Sequence, residues 1–402
     1  MTKKPLRIAY IGQKGIPALW GGVERATEEL ATRMAEAGYF VTAYCRKWYV
    51  RHRPAFYRNV RLKYTPTFHT KHLDTVSHTF FSVINAIWNG ADVIHFQGIG
   101  PAIFAWIPRI FSPHTRVLVT FHCLDRNLQK WNRIASFVFY CGEFIAVKFA
   151  HEIFVTSRSL EQYVQKTWNI AATYLPNGVY EHTEMTDFQD QLDNFGLKPQ
   201  RYVVCLGRLM RDKAQHEVIA TFVRAKERLG AEFSDLKLVI IGDVADPSDS
   251  YRAFLEKQVD GNSDIIFAGV QTGSALKALT AYARAGISLS YSEGMPLAVL
   301  ELATAGIPLV LSDISAHREI LGEAHVFIEV GNIERAAEHL TRTVRNYDDI
   351  LGVTKALAKR IASNYQWDII VARYCVSLVA GQSEAERERV VLSVRPAFAD
   401  AQ

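Results

Sequence analysis

Short runs rich in Ile, Val and Leu alternate with longer helical segments along this chain, and the pattern occurs twice with a polar stretch between. In the first pass RIAYIG, FVTAYCR, ADVIHFQG, RVLVTFHC, HEIFVTS and ATYLPNGV read as strands. GVERATEELATRMAEAG, between the first two, spaces its apolar residues as a helix does and stops at Gly38. Residues 180–200, YEHTEMTDFQDQLDNFGLKPQ, hold no strand-like run and read as a linker. The pattern restarts with YVVCLGRL, LKLVIIGDV, DIIFAGV, ISLSYSEGMP and IPLVLSD as strands, with HEVIATFVRAKERL and GSALKALTAYARAG among the helices between them. Continuously apolar strands parted by helices require a parallel sheet covered on both faces. The class is therefore α/β, with two doubly wound, Rossmann-like domains. The 402 residues exceed the roughly 250–300 that one core holds, which also requires two.

The expected division is residues 1–190 for the first domain and 195–364 for the second. A last helix at about 365–382 is expected to return to the first domain, and the charged stretch 383–402 to form a peripheral tail.

Composition removes several classes. With 49% hydrophobic and 22% charged residues the chain is neither fibrous nor disordered. Cys45, Cys123, Cys141, Cys205 and Cys375 have no C-x-x-C spacing, which argues against a disulfide framework and a zinc site and fits a reducing cytoplasm. The N-terminus enters a strand at once, without the apolar core of a signal peptide. The longest apolar region, IGPAIFAWIPRIF, is short and interrupted by two prolines and an arginine. The expectation is a cytoplasmic protein that at most lies on the inner face of the cell membrane. Charge is uneven: residues 1–170 carry 22 Lys+Arg against 10 Asp+Glu, a net +12, and the remainder carries −7. This asymmetry points to an anionic partner for the first half. The basic, aromatic stretch RKWYVRHRPAFYRNVRLKY (46–64) suits nucleic acid and anionic lipid equally.

Open parallel sheets bind ligands at the carboxyl ends of their strands, which directs attention to the loops there. Gly12, Gly15, Gly21 and Gly22 lie between the first strand and first helix. Glycines admit close ligand approach and a helix N-terminus favours phosphate, but the spacing is neither G-x-G-x-x-G nor a P-loop. In SEGMPLAVLE, Glu293 ends a strand, Gly294, Met295, Pro296 and Leu297 turn into a helix, and Glu301 lies on it; a carboxylate there can accept both hydroxyls of a ribose diol. In GRLMRDKAQHEVI, Arg208 and Lys213 beside a helix start can clamp a diphosphate. In TFHCLD, His122 ends a strand and Asp125 follows; the histidine can hydrogen-bond a substrate hydroxyl or move a proton. Asn177-Gly178 in LPNGV is a turn signal near the expected hinge. No H-x-x-x-H, clustered carboxylate or D-x-D triplet appears, so no metal is expected.

The combination resembles the retaining glycosyltransferases of family 4, of the GT-B fold, in which two Rossmann-like domains face across a cleft. The resemblance rests on the glutamate pair and the following GIPLV, on PNGV and on GRL…DK, over about residues 6–380. GQKGIPALWGGVE is similar to the G-x-x-G-I-P-A-x-x-G-G-x-E of a bacterial, rhamnosyltransferase-like branch, and TFHCLD to its T-x-H-G-L-D, with Cys123 in place of glycine. It implies a hexosyltransferase-type, metal-independent enzyme of surface polysaccharide synthesis with no cofactor. Its donor would be a nucleotide-diphosphate sugar, and its acceptor a saccharide or a polyprenyl-diphosphate-linked saccharide, with no nucleic acid. Glu301 would hold the donor ribose, and Arg208 and Lys213 its diphosphate. Glu293 and the amides of Gly294 to Leu297 would address sugar and phosphate, and His122 would lie by the reacting carbon. Gly21 and Gly22 would line the cleft, with Gly15, Asp125, Asn177 and Gly178 nearby. The acceptor would fall to the first domain, in contact with anionic membrane. Two other readings remain: a non-catalytic membrane- or nucleic-acid-binding protein, and a nucleotide-sugar epimerase or phosphorylase of the same architecture.

Overall fold

The computed structural model describes residues 4–50, 52–68, 70, 73–124, 126, 133–180, 188–244 and 249–378. The chain divides into two compact units: residues up to Gly178 together with the chain from Trp367 onward, and Val179–Gln366. Each unit is a doubly wound α/β domain.

The first unit holds an eight-stranded sheet made of β1 (Arg7–Ile11), β2 (Phe40–Arg46), β3 (Phe56–Tyr57), β4 (Val60–Thr65), β5 (Val93–Gln97), β6 (Arg116–Phe121), β7 (Glu152–Val155) and β8 (Thr173–Tyr174). Their spatial order is β3-β4-β2-β1-β5-β6-β7-β8, and only the β3–β4 pairing is antiparallel. The central strands are buried on both faces, as their apolar runs require. Helix Gly22–Glu36 lays Ala26, Leu30, Ala31 and Met34 on one face of the sheet. It ends where Gly38 turns left-handed (φ +91°) and the N–H of Tyr39 donates to the carbonyl of Met34 at 3.1 Å. Helix Trp367–Leu378 packs in the same layer through Trp367, Ile370 and Tyr374. The buried His95 pins it, with Nδ1 2.9 Å from the Tyr374 hydroxyl and Nε2 2.7 Å from that of Thr120. Helices Leu73–Trp88, Ile99–Ala102, Trp106–Phe111 and Arg133–Phe149 pack together over the opposite face.

The second unit has six parallel strands: β9 (Tyr202–Leu206), β10 (Lys237–Ile241), β11 (Ile265–Gly269), β12 (Ala285–Ser288), β13 (Leu309–Ser312) and β14 (Phe327–Ile328). They run in the order β11-β10-β9-β12-β13-β14. Chain direction along the sheet therefore reverses between β9 and β12, as it does between β1 and β5 in the first unit. These are the two places where a parallel sheet opens a crevice at its carboxyl edge.

The structure corrects the sequence reading at the unit boundary and at one strand end, and adds detail in two further places. The unit boundary falls at 178/179 rather than near 190, because residues read as linker build the second core. Helix Phe188–Asp193 buries Leu192, and Leu197 joins Val179 in the same apolar cluster. The returning helix begins at Trp367, and the tail 383–402 lies outside the described residues. Part of the basic stretch 46–64 is β3 and β4, in which Val60 and Leu62 point inward while Arg61 stays exposed. In the ISLSYSEGMP segment the strand is shorter and earlier than read, ending at Ser288.

Gly178 is fixed by packing. A Cβ there would lie 2.7 Å from Trp367 Cε3 and 2.8 Å from its Cγ. Gly178→Ala is therefore expected to destabilise the protein by about 1–3 kcal/mol, as overpacking does, read as a lower urea midpoint at unchanged slope.

Candidate functional site

In the second unit the loop after β9 starts at Gly207, with φ +145°. A Cβ on Gly242 (φ +132°), just after β10, would come within 2.8 Å of the Gly207 carbonyl carbon, so the two loops touch backbone to backbone and position 242 needs glycine. The N–H of Leu209 donates to the carbonyl of Asp243 at 3.0 Å and fixes that contact. A 3-10 turn, Arg211–Lys213, leads into helix Gln215–Leu229. The buried Gln215 closes the turn, its Nε2 donating to the carbonyl of Arg208 at 2.9 Å.

The loop after β12 is tied to that turn by the N–H of Tyr291, which donates to the carbonyl of Asp212 at 2.9 Å. This brings together Lys213 and Glu293, far apart in sequence. Nζ of Lys213 forms an ion pair with Oε1 of Glu293, and both side chains are largely buried. The Ser290 hydroxyl donates to the same carboxylate oxygen at 2.9 Å. Deeper, the Ser312 hydroxyl donates to the carbonyl of Ser290 at 2.6 Å, and the fully buried His317 has Nδ1 2.9 Å from the carbonyl of Ser312. Burial pushes the His317 pKa below its ordinary value; Lys213 acts in the same direction, and the Ser312 carbonyl and Glu293 oppose it. A second brace runs beside these: the Tyr291 hydroxyl donates to Glu217 Oε1 at 2.6 Å and lies 3.1 Å from His216 Nε2.

Arg208 is half-buried beside the Met210 sulfur, at 3.3 Å, and among the described residues no carboxylate pairs with it. Gly294 and Met295 are buried, and Met295 belongs to the core under the loop. Pro296 is the N-cap of helix Leu297–Thr304, within the turn into a helix that the sequence indicated. Glu301 is half-buried on that helix. One carboxyl edge thus gathers two cations, two glutamates and a helix start.

In the first unit the glycine loop after β1 is a built structure. The Tyr49 hydroxyl accepts from the N–H groups of Leu19 (2.8 Å) and Trp20 (3.0 Å) and donates to the carbonyl of Trp20 at 2.8 Å. Glu24 accepts from the N–H of Lys14 at 3.1 Å, and Glu28 from that of Ala18. Burial raises the Glu28 pKa, against the Ala18 and Tyr57 hydrogen bonds. Gly12 (φ +121°) sits against the short helix Ile99–Ala102 that follows β5, where a Cβ would meet Pro101 at 2.7 Å. Gly15 faces the Tyr49 ring, which a Cβ would approach to 2.7 Å, so packing explains this residue. Gly21 (φ +99°) caps helix Gly22–Glu36 with no side-chain cap. His122 follows β6 with its ring against β5: Nε2 lies 3.0 Å from Gln97 Oε1. Burial pushes its pKa down to about 4, so the ring is neutral at physiological pH and donates from Nε2 to the amide oxygen. Asn177 is buried, and Asp125 lies outside the described residues.

Sequence reasoning missed Tyr49, Glu24 and Glu28, which shape the glycine loop, and Ser290, Ser312 and His317 behind Glu293. Gln97 was within reach: it ends the strand next to β1, at the reversal. The others carry no local signal.

Comparison with known proteins agrees with this architecture. Residues 20–182 match Glycosyltransferase Family 4, and residues 187–364 match Glycosyl transferases group 1. The sucrose-phosphate synthase of Thermosynechococcus elongatus superposes with a TM-score of 0.77 at 19% identity, over 94% of this chain and 100% of that one. Anabaena HepE, solved with UDP-glucose, gives 0.77 at 14% identity over 93% and 100%. The GDP-mannose:cellobiosyl-diphosphopolyprenol alpha-mannosyltransferase of Xanthomonas oryzae pv. oryzae is 23% identical over 305 residues, 73% of this chain and 75% of its own. The chain is a glycosyltransferase of the GT-B fold.

Two outcomes follow from the first unit. Tyr49→Phe removes three hydrogen bonds from the glycine loop; it is expected to lower stability by about 1–3 kcal/mol and to speed amide exchange at Leu19 and Trp20. Because the folded-state pKa of His122 lies below that of the unfolded chain, the unfolded state takes up the proton first. Stability should therefore fall as pH drops from about 6.5 toward about 4, and His122→Gln should flatten part of that limb in urea titrations across the window.

Proposed function

We propose that this glycosyltransferase moves a sugar from a nucleotide-diphosphate donor to a saccharide or polyprenyl-diphosphate-linked acceptor in the assembly of a bacterial surface polysaccharide. It retains the anomeric configuration and uses no metal. The observation that carries the reading is the meeting of Lys213, Glu293 and the loop of Arg208 at one carboxyl edge, at the reversal of the second sheet. The matches to two glycosyltransferase families along the chain support it, as does the lipid-linked acceptor in the Xanthomonas relative's name.

Cleavage of the sugar–phosphate bond places positive charge on the sugar and negative charge on the departing diphosphate. Arg208 and Lys213 stabilise the latter, which removes the need for a cation from solution. Glu293 holds Lys213 in place and offers its carboxylate to donor-sugar hydroxyls. The amides from Gly294 to Leu297 add the partial positive charge of a helix start. Glu301 takes the ribose diol. The acceptor attacks from the face the diphosphate leaves, with a phosphate oxygen of the leaving group accepting the acceptor's proton; no covalent enzyme intermediate forms. The neutral His122 gives its Nε2 proton to Gln97 and offers Nδ1 to accept a hydrogen bond from a sugar hydroxyl. The first unit takes the acceptor, with Gly21 and Gly22 leaving its loop open to a ligand.

A thermal-shift series with UDP, GDP, dTDP, ADP and CMP, each with and without Mg²⁺, tests the donor half. One nucleotide is expected to raise the melting temperature equally with and without Mg²⁺, and Glu301→Ala to abolish the rise. Arg208→Ala and Lys213→Ala are each expected to lower turnover about 10²–10³-fold. A rise that requires Mg²⁺ would overturn metal independence. GDP as the effective nucleotide would align the donor with the Xanthomonas relative, and dTDP with a rhamnosyl donor.

A further inference from the structure

The helices that cover the face of the first sheet opposite helix Gly22–Glu36 turn apolar side chains to solvent. On helix Leu73–Trp88, Val76, Phe80, Ile84 and Trp88 recur every fourth residue and are all exposed, Trp88 by 89%. Helix Arg133–Phe149 exposes Ile134 (75%), Phe137 (66%) and Phe144, and helix Trp106–Phe111 exposes Ile110 and Phe111. Helix Trp106–Phe111 packs against both of the others, so these stripes share a side of the unit. An ordinary surface helix of a soluble domain is polar on that side.

The charges sort with the apolar side chains. Arg109, Arg133 and Lys148 on these helices are exposed. The acids on them, Asp74 and Glu143, are turned inward. Asp74 pairs with the buried Arg46 at 2.7 Å and accepts from the Trp48 indole at 2.8 Å, and Glu143 is fully buried against Arg126 at 3.2 Å. Among the described residues, the exposed ionised groups of this face are therefore all cationic. No helix among the described residues is long and apolar enough to cross a membrane, so the face would lie on a bilayer rather than in it.

We propose that this face, formed by helices Leu73–Trp88, Trp106–Phe111 and Arg133–Phe149, docks on an anionic lipid bilayer. Its aromatic and aliphatic side chains enter the interfacial layer while Arg109, Arg133 and Lys148 meet lipid phosphates. The inference deepens the lipid-linked acceptor reading and rests on it: a chain seated this way meets a polyprenyl-diphosphate acceptor in the membrane plane. The charge pattern selects lipid over a second copy of the chain, because a self-associating patch would bring cations against cations.

Flotation of the full chain with vesicles of phosphatidylcholine alone, or with about a third phosphatidylglycerol, tests this. Wild type is expected to float with the anionic vesicles, to stay behind with the neutral ones, and to be released by high salt. Ile134→Glu with Phe137→Glu, and separately Arg133→Glu with Lys148→Glu, are each expected to lower the bound fraction about ten-fold or more. All four positions are exposed, so melting temperature and nucleotide-induced shift should match wild type. A wild type that does not float, variants that float as well as it does, or a dimer that the apolar variant converts to monomer without any flotation would overturn the proposal. Lost flotation with an intact nucleotide shift leaves the transferase reading standing. A missing nucleotide shift in a chain that floats would fail the donor site alone.

Discussion

A parallel sheet whose chain direction reverses sends two loops away from each other at adjacent strand ends, and side chains can converge in the gap without backbone between them. In the second unit everything of chemical interest depends on that geometry. Lys213 follows β9 and Glu293 follows β12; the strands pair directly, so charges 80 residues apart meet without either loop being long. The contact of Gly207 with Gly242 sets the path of the first loop, and the Tyr291–Asp212 hydrogen bond fits the second to it. Side chains enter only after the backbone has fixed where they can go.

The Lys213–Glu293 pair has an unfavourable term built in. Taking two charges largely out of water costs several kcal/mol per ion, and their attraction offsets this only with good geometry and further hydrogen bonds. Ser290 supplies one such bond to the carboxylate. The pair is thus poor evidence of stabilisation and better evidence that a cation is being held at a set place. A lysine free to rotate would lose more entropy on meeting a phosphate than one whose ammonium is already positioned. His317 behind the loop, kept neutral by burial, adds no charge to the balance.

Much of this was legible in the sequence. β1, β2, β5, β6, β7, β9, β10, β11 and β13 announce themselves because strands buried on both faces must be apolar throughout. β4 escaped because it is covered on one side and exposed on the other: in VRLKYT the inward Val60 and Leu62 alternate with Arg61 and Lys63, and the surrounding basic run masks the period. Helix Phe188–Asp193 is too short to show a helical period, so Leu192 looked like a stray apolar residue in a linker. The glycines divide in the same way. Gly21 is read correctly as the loop end beside a helix start. Gly15 and Gly178 serve the rings of Tyr49 and Trp367, partners that only the fold brings near. Lys213 and Glu293 were each singled out as donor residues, yet their pairing with one another required the strand order, which no single run of sequence contains.

The apolar helix face of the first unit was hidden by a different ambiguity. Apolar stripes at helical spacing mean burial in most proteins, so the residue types of 73–88 and 133–149 alone do not distinguish a core face from an exposed one. Net charge over residues 1–170 signalled an anionic partner but could not locate it, since only three of its 22 cations, Arg109, Arg133 and Lys148, belong to these helices. Exposure separates the two meanings of an apolar helix. Once Trp88 and Phe137 are seen to face solvent, their presence opposes solubility and needs a compensating contact. The inward turn of Asp74 and Glu143 then leaves that face a single sign. An enzyme whose acceptor is anchored in a bilayer gains from such a surface because it restricts the search to two dimensions, and the same surface would only favour aggregation in one whose substrates are all dissolved.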